Sequence, residues 1–269
     1  RELRVFLRNP NALFGLVFLA IIVVTAIIAP WIFPANPLGM VTKPFLWPGQ
    51  DAAYPLGSDS MGRDVLAGIV HGSRISLFVG LAATALGLTV GILVGATAGY
   101  FGGWVDDVLV RIIEIFQTLP NFVLLVVLVA ILQPSATTVT VAIAIVSWPM
   151  VARLTRAEFR AIREKDYVMA ARSLGFGNAR IIFGEVLPNA LPPLIVTSSV
   201  MVASAILMES ALSFMGLGDP NVVSWGSMIG SGRELIRNAW YLTLLPGLAI
   251  VFTVLALNLI GDGLNDALN

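Results

Sequence analysis

From Ile75 to Gly99 the chain reads ISLFVGLAATALGLTVGILVGATAG, without one charged side chain. A helix rising about 1.5 Å per residue needs about 20 such residues to cross a hydrocarbon core about 30 Å thick. Hydrocarbon offers backbone amides no hydrogen-bonding partner, and the two-residue alternation of a barrel strand is missing, so the segment reads as a membrane-spanning helix. Gly87, Gly91, Gly95 and Gly99 recur every fourth residue on one face, extended back by Ala83. A face without side chains is one against which a second helix can lie closely, either within this chain or on a neighbouring one.

Five further apolar runs have the length of a span: Leu13–Phe33, Val108–Leu132, Thr138–Leu154, Leu194–Met215 and Tyr241–Ile260. The composition agrees, with 57% hydrophobic and 12% charged residues against roughly 45–50% and 25% in soluble domains. The expected fold is therefore all-α and polytopic, with six transmembrane helices. Net charge is zero, which gives no reason to expect nucleic acid as a partner, and the absence of cysteine excludes disulfides, thiolate metal sites and cysteine nucleophiles. The first run exceeds the roughly 7–15 apolar residues of a signal peptide, and Pro30 and Pro34 stand where small residues would precede cleavage.

Lysine and arginine set the orientation. With the N-terminus inside, Arg1, Arg4, Arg8, Arg111, Arg153, Arg156, Arg160, Arg163, Lys165, Arg172 and Arg180 are cytoplasmic, eleven of the sixteen; Lys43, Arg63, Arg74, Arg233 and Arg237 are outside. Both termini are then inside. Trp31 and Trp240 fall at the outer interface and Trp104 at the inner one, whereas Trp148, beside Pro149, is expected to pack at a kink.

The chain divides into an N-terminal segment with the first span (1–34), a Pro- and Gly-rich extracytoplasmic loop (35–72) and a core of five spans (73–269). Within the core, Gly216–Ala239 is an outer segment expected to hold a short helix that does not cross. The other polar segment, 153–193, is cytoplasmic. Arg153, Arg156, Arg160 and Arg163 recur at helical spacing and extend the fourth span inward as a cationic stripe, suited to lipid headgroups. Tyr167, Ala170, Ala171 and Leu174 follow at i, i+3, i+4 and i+7, an apolar face built around two small residues. Gly175 suits a left-handed helix terminus and Asn178 the cap of a second helix, which is expected to stop at Leu187-Pro188-Asn189. Small side chains let a partner's backbone approach, so this face reads as a docking surface.

The spacing of Ala170, Ala171, Gly175, Leu187 and Pro188 resembles the "EAA" loop of binding-protein-dependent ABC importer permeases, with Met169 in place of its Glu and Glu185 in place of its Ile. Pro55–Asp59, Gly62–Leu66, Arg74–Leu77, Gly102–Asp106 and Leu212–Gly218 are similar to the dipeptide/oligopeptide/nickel branch, and to the second of its two permease subunits. The resemblance implies a type I importer in the bacterial inner membrane. It implies a heterodimer with a homologous partner permease, two cytosolic ABC ATPase subunits and an extracytoplasmic substrate-binding protein. Tyr167, Ala170, Ala171, Leu174, Gly175, Leu187 and Pro188 would couple to the ATPases. The cargo implied is a di- or oligopeptide, with nickel, glutathione or haem as alternatives for the same machinery.

No catalytic residue is expected. Lys43 and Lys165 follow Thr42 and Glu164, so neither closes a phosphate-binding Gly-Lys-Ser/Thr loop; ATP and magnesium belong to partner subunits and no cofactor is expected on this chain. His71 is the only histidine, with no second ligand near it in sequence, so no metal site is expected. Glu209, inside the fifth span, should face the bundle or a wet cavity; it is a candidate for the translocation pathway with Phe214, or for a structural hydrogen bond. Arg111 and Glu114 suit an intrahelical ion pair. A self-powered transporter or channel would need charged relays within the spans, and a membrane enzyme a catalytic constellation; neither pattern is evident.

Overall fold

The computed structural model describes residues 2–268, and every regular element among them is helical. Arg1 and the side chain of Arg4 lie outside the described residues. A short α1 (Glu2–Arg8) leads into α2 (Pro10–Ile32), whose first turn is capped by the Asn9 side chain accepting from Asn11 and Ala12 amides. Next come α3 (Val65–Phe101), α4 (Gly103–Gln117), α5 (Asn121–Leu132) and α6 (Ala136–Arg163). The cytoplasmic α7 (Asp166–Ser173) and α8 (Asn178–Ile181) precede α9 (Leu187–Phe214), the short α10 (Trp225–Gly232) and α11 (Tyr241–Leu268).

Five of these helices, taking α8 with α9, are long and apolar enough to cross a membrane. The third expected span, Val108–Leu132, is not one helix: α4 and α5 meet at 79°. Pro120, at the break, has no amide hydrogen to donate, and its backbone is extended (φ −56°, ψ 126°), as is favoured away from helix interiors. At 12 residues α5 is about 18 Å long, short of a bilayer alone, and the crossings number up to six when the bent pair is taken as one span.

The second span begins earlier than the hydropathy suggested. Asp64 accepts from the Leu66 amide (2.9 Å) and α3 starts at Val65, so the last residues of the expected outer loop are already helical. That loop is a folded strap. Gly57 and Gly62 adopt φ of +77° and +78°, and a Cβ on either would collide with the carbonyl oxygens of Leu46 and Thr42. Ser58 is fully buried, takes the Leu46 amide on its hydroxyl, and its own carbonyl receives the Tyr241 hydroxyl from α11 at 2.8 Å. His71 Nε2 donates to the Phe33 carbonyl at 2.9 Å, tying the start of the strap to α3. No group of three or more metal-ligating side chains occurs among the described residues.

The glycine stripe is spent within the subunit. A Cβ at Gly91 would sit 2.5 Å from Val151 Cβ, and one at Gly99 would sit 2.7 Å from the Arg156 carbonyl oxygen, both on α6. At Gly95 it would meet Thr155 Cβ at 2.7 Å and the Ala152 carbonyl oxygen closer still. Gly87, at the outer end of the crossing, is looser, with its nearest neighbour 3.5 Å away. Trp148 is buried on the α4 side of α6, edge-on to Phe116 with centroids 5.2 Å apart. At the outer side α10 is wedged into the bundle: Trp225 is buried, its indole donating to the Ile69 carbonyl, and Gly226 lies on the Ser210 backbone.

Candidate functional site

The 153–193 segment is built on the inner ends of α3 and α6. Phe159, Ile162 and Tyr100 form a buried base, onto which α7 sets Val168 and Ala171 and the chain from α8 into α9 sets Ile181, Val186 and Ala190. Burying one such aliphatic side chain contributes about 1.5 kcal/mol or more, so α7 is seated and not merely tethered. Its end is fixed locally. The Phe176 amide returns to the Ala171 carbonyl and the Gly175 amide to that of Arg172, a six-to-one and five-to-two closure that requires a left-handed residue. Gly175 supplies it at φ +80°. The Tyr100 hydroxyl donates to Asn178 Oδ1 at 3.0 Å, so Asn178 ties α8 to α3 instead of capping its own helix.

This seating divides the face expected from the spacing. Ala171 turns inward at 5% exposure, whereas Tyr167, Ala170 and Leu174 face out, Leu174 at 74%. Tyr167, Ala170, Ala171 and Leu174 thus do not form one docking face. Val168, three residues before Ala171, is the inward partner that the spacing did not single out. The expected stop at Leu187-Pro188-Asn189 is also corrected, because the chain passes into α9 without a break. Pro188 cannot donate to the carbonyl four residues back, and the helix widens to a π turn over Ile182–Val186, with the Leu187 amide reaching the Ile182 carbonyl. The Asn189 side-chain amide covers the Glu185 carbonyl at 2.6 Å.

The arginine stripe also makes bonds within the chain. Arg156 grips both carboxylate oxygens of Asp106 on α4, its Nη2 donating to Oδ2 at 2.6 Å. Arg160 lies 3.9 Å from the same carboxylate. Arg163 donates to the Gly99 and Tyr100 carbonyls (3.0 and 3.2 Å), where the dipole of α3 ends negative. Arg153 reaches Gln117 Oε1 at 3.2 Å. Sequence separation hid these pairs, for nothing in the spacing of Asp106 and Arg156 marks them as neighbours.

Glu209 is buried beneath α10. Its Oε1 accepts from Ser213 (2.7 Å) and its Oε2 from Ser76 (3.3 Å), while Ser210 lies at 3.5 Å. Ser76 also receives the Trp225 amide, so the carboxyl group links α3, α9 and α10. The adjoining cavity, about 10 Å³ and bounded by Ile75, Val139 and Asp219, has room for about one water. These bonds make the Glu209 carboxyl group a hydrogen-bonded junction of three helices. Phe214 is half exposed at the outer end of α9, with the Arg233 guanidinium 5.6 Å from its ring centre. Arg111 and Glu114 form the exposed intrahelical pair at 3.0 Å.

Comparison with known proteins places this architecture. Residues 87–269 match the model of the binding-protein-dependent transport system inner membrane component, and residues 3–52 match that of the N-terminal TM domain of oligopeptide transport permease C. A di/tripeptide transport system permease protein of Pseudomonas aeruginosa is 43% identical, covering 98% of this chain and 89% of its own. The dipeptide transport system permease protein of Haemophilus influenzae is 40% identical, covering 98% and 92%. In fold, the chain is similar to an inward-facing methionine ABC transporter, with a TM-score of 0.62 at 18% identity, over 75% of this chain and 96% of that one. The chain belongs to the inner-membrane components of binding-protein-dependent transport systems.

Proposed function

We propose that this permease forms half of the translocation pathway of an ATP-driven importer of short peptides and receives its driving force through α7. The observation that carries the reading is the division of α7. One side is buried on the inner ends of α3 and α6, and the other turns Ala170, Leu174 and part of Tyr167 outward. A helix held so firmly on one side and exposed on the other suits a contact that must transmit displacement. Two cytosolic ATPase subunits, a homologous partner permease completing the pathway and an extracytoplasmic binding protein that delivers the peptide make up the remainder of the assembly. Closure of the ATPases on ATP would push α7 and, through its seat, the inner ends of α3 and α6, switching the bundle between inward-open and outward-open states. The peptide assignment follows the di- and tripeptide relatives, whose identity extends over nearly the whole chain.

The test is Ala170→Arg in the reconstituted complex. Position 170 is exposed, so the arginine is accommodated in the isolated subunit and obstructs only what docks there. Membrane levels should stay normal, while stimulation of ATP hydrolysis by peptide-loaded binding protein is lost. Retained stimulation would refute the assignment. Ala171→Arg is the wrong variant for this purpose, because it forces an unpaired guanidinium into the buried seat, at a cost of several kcal/mol.

A further inference from the structure

The inner end of α6 grips both sides of the elbow between α3 and α4. That elbow turns through Gly102 and Gly103, both at positive φ (+67° and +55°). On the α3 side, Arg163 closes the carbonyls of Gly99 and Tyr100 and covers Gly102, where a Cβ would lie 2.8 Å from Nη1. On the α4 side, Arg156 holds Asp106 in a two-point grip, with 12% of the Asp106 side chain exposed. Three residues beyond Arg163, at Asp166, α7 begins. The far end of α4 meets α5 at the 79° bend, the break in an otherwise continuous set of spans. One helix therefore carries the cytoplasmic docking element and holds the root of the broken span.

We propose that Asp106 and Arg156 are positioning residues that make the bent α4–α5 pair move with α6, so that displacement of α7 reaches the sixth crossing. This rests on the reading of α7 as the ATPase contact and extends it to the route taken inside the subunit. A fork-to-carboxylate pair suits such a link because two parallel bonds fix angle as well as distance. The glycine elbow leaves α4 without side-chain restraint at its own N-terminus. Trp148 against Phe116 and Arg153 on Gln117 join α4 to α6 further along, and the Asp106–Arg156 pair is the two-point grip that fixes the angle at the root of α4.

The experiment uses the full complex in proteoliposomes with peptide-loaded binding protein, reading basal ATP hydrolysis, its stimulation, and peptide uptake. Asp106→Asn and Arg156→Gln should each lower peptide uptake per ATP hydrolysed about tenfold or more, within the range usual for coupling between sites. The exchange Asp106→Arg with Arg156→Asp should recover part of it, which a simple loss of packing would not. Uptake per ATP unchanged in assembled single variants would overturn the proposal. If the single variants fail to assemble, the exchange decides: recovered assembly with recovered uptake supports the link. Recovered assembly without uptake, or no assembly at all, assigns the pair to folding and overturns it. Wild-type complex whose ATP hydrolysis ignores loaded binding protein, or Ala170→Arg without effect, would instead sink the docking reading.

Discussion

Gly95→Ala adds one methyl group at the tightest point of the α3–α6 crossing, and its effect can be worked from the structure. The new Cβ would fall 2.7 Å from Thr155 Cβ, 3.0 Å from the Ala152 carbonyl carbon and closer to its oxygen, so backbone must move as well as side chain. Overpacking of this kind costs typically about 1–3 kcal/mol, and the involvement of a neighbouring helix backbone puts this site near the upper end. Replacing glycine in a helix returns about 1 kcal/mol of intrinsic propensity. The net expectation is a destabilisation of about 2 kcal/mol. Gly247→Ala is the matched control, since that position lies within α11 with nothing inside 4 Å of the added atom. The propensity gain is then unopposed, and the variant should be more stable by up to about 1 kcal/mol. Reversible SDS-titrated unfolding in mixed micelles, followed by tryptophan fluorescence, measures both. If the two substitutions shift the midpoint in the same direction, close packing of the stripe within the subunit is refuted.

Glu209→Ala strands the hydroxyls of Ser76 and Ser213 and should cost about 1–3 kcal/mol per buried group left unpaired, whereas Glu209→Gln keeps the shape and one acceptor oxygen, with its amide donating to the other serine hydroxyl, and should cost about 1 kcal/mol or less. Equal losses in the same unfolding assay would argue against a hydrogen-bond node. Tyr241→Phe removes the hydroxyl that reaches the Ser58 and Leu46 carbonyls, worth about 0.5–1.5 kcal/mol, and should speed limited proteolysis of the outer strap between residues 42 and 57. Unchanged cleavage would mean that the strap is held by other contacts.

Much of the fold is legible in the sequence because hydrocarbon imposes a length and a polarity that few segments meet by chance. The Ile75–Gly99 run, the stripe of four glycines and the short helix in 216–239 follow from that constraint and from turn chemistry. The break in the third span is less visible because Leu119 and residues 122–132 are apolar, and a hydropathy window averages across Pro120 and Asn121. The docking segment shows a different limit. Periodicity grouped Tyr167, Ala170, Ala171 and Leu174, but in a helix of 8 residues the inward side is chosen by what it meets, and Val168 and Ala171 fit the hollow over Phe159. The Asp106–Arg156 grip, between residues 50 positions apart, is a product of tertiary approach alone. It is the close α3–α6 crossing that brings them together.

The central claim is that the outward side of α7 meets a nucleotide-hydrolysing partner in the cytoplasm. Because the chain has no cysteine, Leu174→Cys introduces a single thiol at the exposed C-cap of that helix, and Val168→Cys places one on the buried side. Crosslinking each from the assembled importer with a short thiol-to-amine reagent tests the claim most directly. The expected result is an adduct from position 174 to an ATPase subunit and none from position 168. An adduct from 174 only to this chain, or its modification by a membrane-impermeant reagent added outside, would contradict it.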